Sequence, residues 1–125
     1  MIQVLVADDH AVVRRGLRQI LAETPDIVVT GEASTADEVR RMVRDVRCDV
    51  VVLDISLPGG SGIELLGEIR RQRPGLPVLI LTVFSEEQYA VRAIKAGAAG
   101  FLTKETAPEK LVDAVRKVEI GRAHV

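Results

Sequence analysis

The feature that most constrains the fold is an uninterrupted apolar run in the middle of the chain. Residues 50–53 read Val-Val-Val-Leu, with Asp49 before them and Asp54 after them. A half-exposed strand alternates apolar and polar side chains, whereas a continuous β-branched run is typical of a strand buried on both faces of a parallel sheet. Ligands of such sheets bind beyond the carboxyl ends of the strands, so we expect chemistry at Asp54 and none at Asp49. Taken alone, Asp54 is better explained as a residue that ends the strand and caps a turn.

Strands and helices alternate five times along the chain. Apolar runs predict strands at residues 2–7, 27–33, 50–53, 77–82 and 100–103. A helical pattern follows each of them, and two helices begin with capping boxes, Thr35–Glu38 and Ser61–Glu64, whose side chains are expected to accept from each other's backbone N–H. This alternation predicts an α/β, doubly wound domain with a five-stranded parallel sheet and five helices on its two faces. The mixed composition of residues 27–33 places that strand near an edge.

The fourth helix differs from the others. Residues 85–88 are expected to cap it, and Gly97 is expected to end it. Its candidate inner face consists of Ala90, Ala93 and Ile94, which together offer little apolar area. Few buried contacts imply low local stability, so this helix is expected to shift most readily.

Composition narrows the class of protein. At 125 residues with 47% hydrophobic content, the chain suits one domain with a hydrophobic core. Its net charge of −1 gives no general attraction to nucleic acid or to an anionic membrane. No apolar run has the length of a membrane span and no secretory signal is present, so we expect a cytoplasmic protein without membrane contact. The sole cysteine, Cys48, is expected to be a small core residue.

Reactive side chains stand where four predicted strands end. They are Asp8 and Asp9, Asp54, Thr82 and Lys104, and the ends of parallel strands meet at one edge. Three carboxylates so close repel each other unless a proton or cation intervenes, so without metal at least one of their pKa values is expected to rise. Oxygen ligands of this kind favour Mg²⁺, and a carboxylate beside a divalent cation and a lysine can act as a nucleophile toward phosphorus.

Each of these residues also has an ordinary structural explanation. Asp9 is explained as a helix cap, Thr82 as a common strand end and Lys104 as a solvated side chain. His10, at a helix start, is expected to be exposed and without function. The glycine-rich residues 58–62 lack a lysine and a fixed glycine spacing, which favours a turn over a phosphate-binding loop. Such explanations do not account for five reactive groups at one edge of one sheet.

The order and spacing of these residues, with Phe101 before Lys104, resemble the receiver domain of bacterial response regulators over the whole chain. The resemblance implies a flavodoxin-like sheet with strand order 2-1-3-4-5. It implies a regulatory domain, not an enzyme, that promotes only its own phosphotransfer and dephosphorylation. The roles it implies are a phosphoacceptor (Asp54), Mg²⁺ ligands (Asp9, Asp54 and the Ser56 backbone carbonyl, with Asp8 acting through water), phosphoryl-oxygen contacts (Thr82 and Lys104) and a switch pair (Thr82 and Phe101).

Residues 54–58 and 96–104 resemble the NarL/FixJ subfamily, whose regulators carry a C-terminal helix-turn-helix domain. The resemblance implies a sensor histidine kinase as phosphoryl donor, a homodimer after phosphorylation, and DNA binding only through a C-terminal domain outside this chain. We expect a receiver domain over residues 1–121 and the start of a linker at residues 122–125. Glu105 stands where many receivers have proline, which leaves the geometry of the Lys104–Glu105 peptide bond open.

Two other classes of protein are alternatives to a receiver domain. A metal-dependent phosphohydrolase with an aspartyl nucleophile would need a second carboxylate two residues later, where this chain has Ser56. A flavin-binding module of similar topology would need a first loop that accepts phosphate, whereas Asp8 and Asp9 would repel it.

Overall fold

The computed structural model describes residues 1–83 and 87–123, and it confirms the predicted alternation. The strands are β1 (Ile2–Ala7), β2 (Ile27–Ala33), β3 (Val50–Asp54), β4 (Val78–Thr82) and β5 (Gly100–Thr103). The helices are α1 (Ala11–Ala22), α2 (Ala36–Asp45), α3 (Gly62–Gln72), α4 (Glu87–Lys95) and α5 (Ala107–Ala123). The first two residues of the predicted α4 cap, 85 and 86, lie outside the described residues. Helix α5 includes residues 122 and 123, where the sequence interpretation predicts a linker.

All five strands are parallel and lie in the order β2-β1-β3-β4-β5. This confirms the predicted fold class, the strand order implied by the resemblance, and the position of β2 at an edge. All five residues of β3 are buried, as its continuous apolar run predicts. The central position of β3 brings Asp54 to the middle of the carboxyl edge.

The sheet divides the interior into two cores. On one face, Val51 and Leu53 of β3 pack with buried side chains of α2, α3 and α4, and we call this the α2–α4 core. On the other face, Val50 and Val52 pack with side chains of α1 and α5, which form the α1–α5 core. Cys48 is buried in the α2–α4 core, as predicted.

Local signals set the ends of the helices. The Thr35 hydroxyl accepts from the Glu38 N–H at 3.2 Å. The Glu38 carboxylate accepts from the Ser34 N–H and hydroxyl at 3.3 and 2.7 Å and from the Thr35 hydroxyl at 3.4 Å, so the backbone N–H that it accepts from is that of Ser34 and not that of Thr35. At the end of α4, Gly97 has a φ of 106°, and its N–H and that of Ala98 donate to carbonyls of the last turn. This paired bond pattern confirms Gly97 as the helix stop.

The predicted inner face of α4 is partly wrong. Ala93 is fully buried, but Ile94 is 51% exposed. Ile94 follows Ala93 by one residue, a rotation of about 100° that turns it away from the sheet. Helix α4 therefore contributes a single buried residue among those described, Ala93, and buries even less apolar area than the sequence predicts.

The described residues contain no cis peptide bond, so the Lys104–Glu105 bond is trans. Among residues 1–83 and 87–123, no helix has both the length and the apolar character needed to cross a membrane.

Candidate functional site at the carboxyl edge of the sheet

Backbone hydrogen bonds beyond the strands hold the reactive residues in place. The Lys104 N–H donates to the Thr82 carbonyl at 2.7 Å, which continues the β4–β5 ladder past its last pair. In the same way, the Asp8 N–H donates to the Ala33 carbonyl at 3.0 Å. The chain therefore leaves each strand in a defined direction, and three strand ends deliver their side chains to one place.

Lys104 lies between two buried carboxylates. Its Nζ is 2.9 Å from Asp8 Oδ2 and 3.0 Å from Asp54 Oδ2. Both carboxylate side chains are 0% exposed and that of Lys104 is 13% exposed. The interpretation of Lys104 as an ordinary solvated lysine is therefore wrong, because its ammonium group is the counter-charge of a buried acidic pair.

The second oxygen of Asp54 is held by its own loop. Asp54 Oδ1 accepts from the Ser56 N–H at 3.0 Å and from the Ser56 hydroxyl at 2.8 Å. The resemblance implies a role only for the Ser56 carbonyl, so these two donors are a finding of the structure. The position of Ser56 two residues after Asp54 is the signal that could have indicated them.

Burial and charge act in opposite directions on this pair. Burial alone raises the pKa of Asp54, but the donors of Ser56 and the ammonium group of Lys104 outweigh it and hold that pKa below its usual value. Burial likewise lowers the pKa of Lys104, and the two carboxylates reverse this effect and raise it above the usual value. For Asp54 the direction is opposite to the one that mutual repulsion of carboxylates predicts, because the donors of Ser56 and the ammonium group of Lys104 both favour its ionised form.

His10 is part of the site. Its Nδ1 lies 3.1 Å from Asp8 Oδ1, 3.2 Å from Asp9 Oδ1 and 3.4 Å from Lys104 Nζ. The side chain is 60% exposed, which confirms the predicted exposure, but the expectation of an uninvolved histidine is wrong. Its position directly after the two aspartates is the signal for this contact.

The acidic residues form a cluster that a cation could occupy. Ligand atoms of Asp8, Asp9, His10 and Asp54 all lie within 4.8 Å of one another. Asp8 Oδ2 is buried and forms an ion pair with Lys104 Nζ at 2.9 Å, but it accepts no hydrogen bond of regular geometry. A buried carboxylate oxygen without a donor is costly, and a divalent cation would satisfy it. The residues therefore fit Mg²⁺, which prefers oxygen ligands.

Thr82 and Phe101 do not belong to the acidic cluster. Thr82 ends β4 and is 1% exposed. Phe101, paired in register with Ile80, is partly buried and packs against the α2–α4 core. Their proposed roles in phosphoryl binding and switching stay predictions.

The comparison with known families decides what the cluster belongs to. Residues 4–116 match the family described as the response regulator receiver domain. The chain belongs to this family. The resemblance seen in the sequence is thereby confirmed, and with it the class of regulatory domains that act in phosphorylation-dependent two-component signalling.

Curated relatives of this receiver domain are longer than the chain. It is 36% identical over 125 residues to the response regulator GacA of Pseudomonas aeruginosa, covering 100% of this chain and 58% of GacA. It is 39% identical over 125 residues to the response regulator UvrY of Escherichia coli K12, covering 100% of this chain and 57% of UvrY. The receiver domain thus spans little more than half the length of these relatives.

Similar solved structures indicate the subfamily of this receiver domain. A LuxR-family two-component response regulator from Aurantimonas sp. matches with a TM-score of 0.90 and 37% identity, covering 96% of this chain and 86% of that one. The signal receiver domain of the response regulator NarL from Mycobacterium tuberculosis matches with a TM-score of 0.88 and 30% identity, covering 96% and 97%. These similarities support the NarL/FixJ subfamily.

Proposed function

We propose that this receiver domain is a phosphorylation-activated switch in which Asp54 accepts a phosphoryl group from a sensor histidine kinase. The observation that carries the proposal is the environment of Asp54, a fully buried carboxylate held by Ser56 on one oxygen and Lys104 on the other. Its lowered pKa keeps it ionised at neutral pH, as a nucleophile must be. A carboxylate oxygen attacks phosphorus, the new P–O bond forms as the P–N bond of the donor phosphohistidine breaks, and the imidazole nitrogen takes the electron pair.

The neighbouring residues divide the remaining work. Asp8, Asp9, Asp54 and the Ser56 carbonyl would hold Mg²⁺, which when bound neutralises charge on the phosphoryl oxygens. Lys104 Nζ, already 3.0 Å from Asp54 Oδ2, is placed to pair with a phosphoryl oxygen once the P–O bond to Asp54 forms. The Thr82 hydroxyl would donate to another oxygen. Because the residue beside Asp54 offers a hydroxyl instead of a second carboxylate, the phosphohydrolase alternative lacks its acid and base.

The signal would leave the domain through partners. In this proposal phosphorylation promotes a homodimer or controls a C-terminal DNA-binding domain, joined through a linker that begins where α5 ends. The greater length of GacA and UvrY supports a further domain in the parent protein. We propose a cytoplasmic location, and a regulatory role in which the domain promotes only its own phosphotransfer and dephosphorylation.

The proposal is tested by intact mass after treatment with acetyl phosphate and Mg²⁺. We expect wild type to gain one phosphoryl group and Asp54→Asn to gain none, because the amide is not a nucleophile toward phosphorus. Chelation of Mg²⁺ is expected to abolish the adduct as well. The matched control is Asp49→Asn, at the opposite edge of the sheet, which should be phosphorylated like wild type. An undiminished adduct on Asp54→Asn would refute the assignment.

We also propose that the switch runs from Thr82 to Phe101. Attraction of the Thr82 hydroxyl to the phosphoryl group would vacate space that the partly buried Phe101 ring can fill. Full burial of such a ring stabilises by roughly 1.5–3 kcal/mol, enough to change a two-state ratio tenfold or more. Backbone NMR with and without beryllofluoride should show shifts extending from Thr82 into β5 and α4. Shifts confined to the loop after Asp54 would exclude this route.

A further inference from the structure

We propose that His10 is a ligand of the bound cation and that its imidazole makes the site accept Co²⁺ and similar transition cations more strongly than carboxylates alone would. The inference rests on the metal site of the proposed function and extends it. It concerns one atom, Nδ1 of His10, and one property, the choice of cation.

The His10 ring nitrogen lies at ligand spacing from two carboxylate oxygens. Nδ1 lies 3.1 Å from Asp8 Oδ1 and 3.2 Å from Asp9 Oδ1. Around an octahedral cation with bonds of about 2.1 Å, neighbouring ligand atoms stand about 3.0 Å apart. The three atoms therefore already have the spacing of adjacent ligands on one ion. The buried Asp8 Oδ2, which lacks a hydrogen-bond donor, independently indicates that the same cluster is built for a cation.

The His10 ring does not serve as a helix cap. His10 occupies the N-cap position of α1, but its side chain makes no capping hydrogen bond. The backbone is anchored separately, since the His10 N–H donates to Asp8 Oδ1 at 2.8 Å. The ring instead contacts Asp8, Asp9 and Lys104, all members of the site. At 60% exposure the ring is open to a hydrated cation arriving from solvent.

An imidazole nitrogen and a carboxylate oxygen prefer different cations. Imidazole nitrogen suits Co²⁺, Ni²⁺, Cu²⁺ and Zn²⁺, whereas Mg²⁺ prefers carboxylate, carbonyl and water oxygen. Bound to a cation, Nδ1 offers its lone pair and the ring proton resides on Nε2. Loss of the ring should therefore weaken transition cations selectively and leave Mg²⁺ binding by the carboxylates nearly unchanged.

The test is calorimetric titration of the 125-residue chain with Mg²⁺ and, separately, with Co²⁺. We expect His10→Ala and the ring-preserving His10→Phe to lose tenfold or more in Co²⁺ affinity, since even residues behind a metal ligand are worth about 10–100-fold. Their Mg²⁺ affinity should stay within about twofold of wild type. In proton NMR the Co²⁺ complex of wild type should show a strongly shifted ring N–H that both variants lack. The matched control is His124→Ala, which removes the other histidine and should behave like wild type.

The outcomes separate this inference from the proposed function. Unchanged Co²⁺ affinity in both His10 variants, with normal Mg²⁺ binding, overturns the inference alone. A loss of Co²⁺ affinity in His124→Ala but not in His10→Ala overturns it too, because the imidazole donor then lies elsewhere. A wild type that binds neither cation refutes the metal site of the proposed function, and the inference with it.

Discussion

Replacing Lys104 with methionine is expected to lower the free energy of unfolding by about 3 kcal/mol or more at pH 7 without added metal. The change removes the ammonium group that lies within 3.0 Å of both Asp8 and Asp54, and it leaves two fully buried carboxylates without a counter-charge. Urea unfolding of wild type and variant measures the difference. Lys104→Arg keeps the charge and should cost less, and Lys110→Met, an exposed lysine of α5, should change little.

The same pair of proteins should differ in pH dependence. The pKa of Asp54 is lowered in wild type, so its contribution is present above the unfolded value of about 3.9 and is lost as pH falls through the folded pKa. The pKa of Lys104 is raised, so its contribution is complete below about 10.4 and is lost as pH rises through the folded pKa. Titration of these two groups therefore leaves the free energy of unfolding of wild type nearly constant between about pH 5 and 9.

In Lys104→Met we expect the free energy of unfolding to depend on pH in the opposite direction below neutral pH. Without the ammonium group, burial should disfavour the charged forms of the two carboxylates more than the Ser56 donors to Asp54 favour them, so protonation accompanies folding and low pH favours the folded state. The variant should gain stability as pH falls from about 8 to about 5, and added Mg²⁺ at about ten times its dissociation constant should restore about 1.4 kcal/mol at pH 7. A variant with the flat profile of wild type would show that Lys104 does not neutralise the buried pair.

Gly62→Ala is expected to be the most disruptive single-methyl change near the site. A Cβ at Gly62 would collide with the carbonyl oxygen of Ile55 and lie 2.6 Å from its Cγ1. Overpacking against backbone costs about 3 kcal/mol, which is a melting shift on the order of 10 °C for a domain of this size. Displacement of Ile55 would also move the Ser56 N–H away from Asp54 Oδ1, so phosphorylation by acetyl phosphate should slow.

Gly16→Ala is the matched control. Gly16 lies within α1, and a Cβ there would meet nothing within 4 Å. Alanine should therefore stabilise the helix by about 0.5–1 kcal/mol and raise the melting temperature. A Gly62→Ala protein that melts within two or three degrees of wild type would mean that the loop after Asp54 yields easily.

The fold is largely predictable because each local pattern agrees with the global topology. The apolar run of β3 needs burial on both faces, and the carboxyl ends of parallel strands meet, so the amino-acid pattern alone brings Asp54 and Lys104 together. The strand order comes from the family resemblance, since alternation alone does not determine which strands are neighbours.

The features that the sequence does not predict are the rotation of a helix about its axis and the contacts of individual side chains. Periodicity assigns Ile94 to the inner face of α4, but a helix with so few large side chains has no strong preference for one rotation, and the neighbouring elements decide it. The contacts of His10 are missed because an exposed histidine at a helix start is usually without a partner, although its position directly after two aspartates could have indicated them. For Ser56 only a carbonyl role is expected, because the resemblance names no other, although a serine two residues after an aspartate is a common turn arrangement that places its N–H near the carboxylate.

The division of the interior by the sheet also limits how the sequence can vary. Leu17, Leu111 and Val115 share no packing surface with Val39, Leu65 or Phe101, because β1, β3 and β4 lie between the two sets. The effects of substitutions on stability add when the sites share no contacts. Each core is close-packed, so a larger side chain in one core must be compensated by a smaller one in the same core. Substitutions that tune the α4 and β5 region for one downstream partner can thus accumulate without disturbing the packing of α1 and α5, and two surfaces of one small domain can diverge independently.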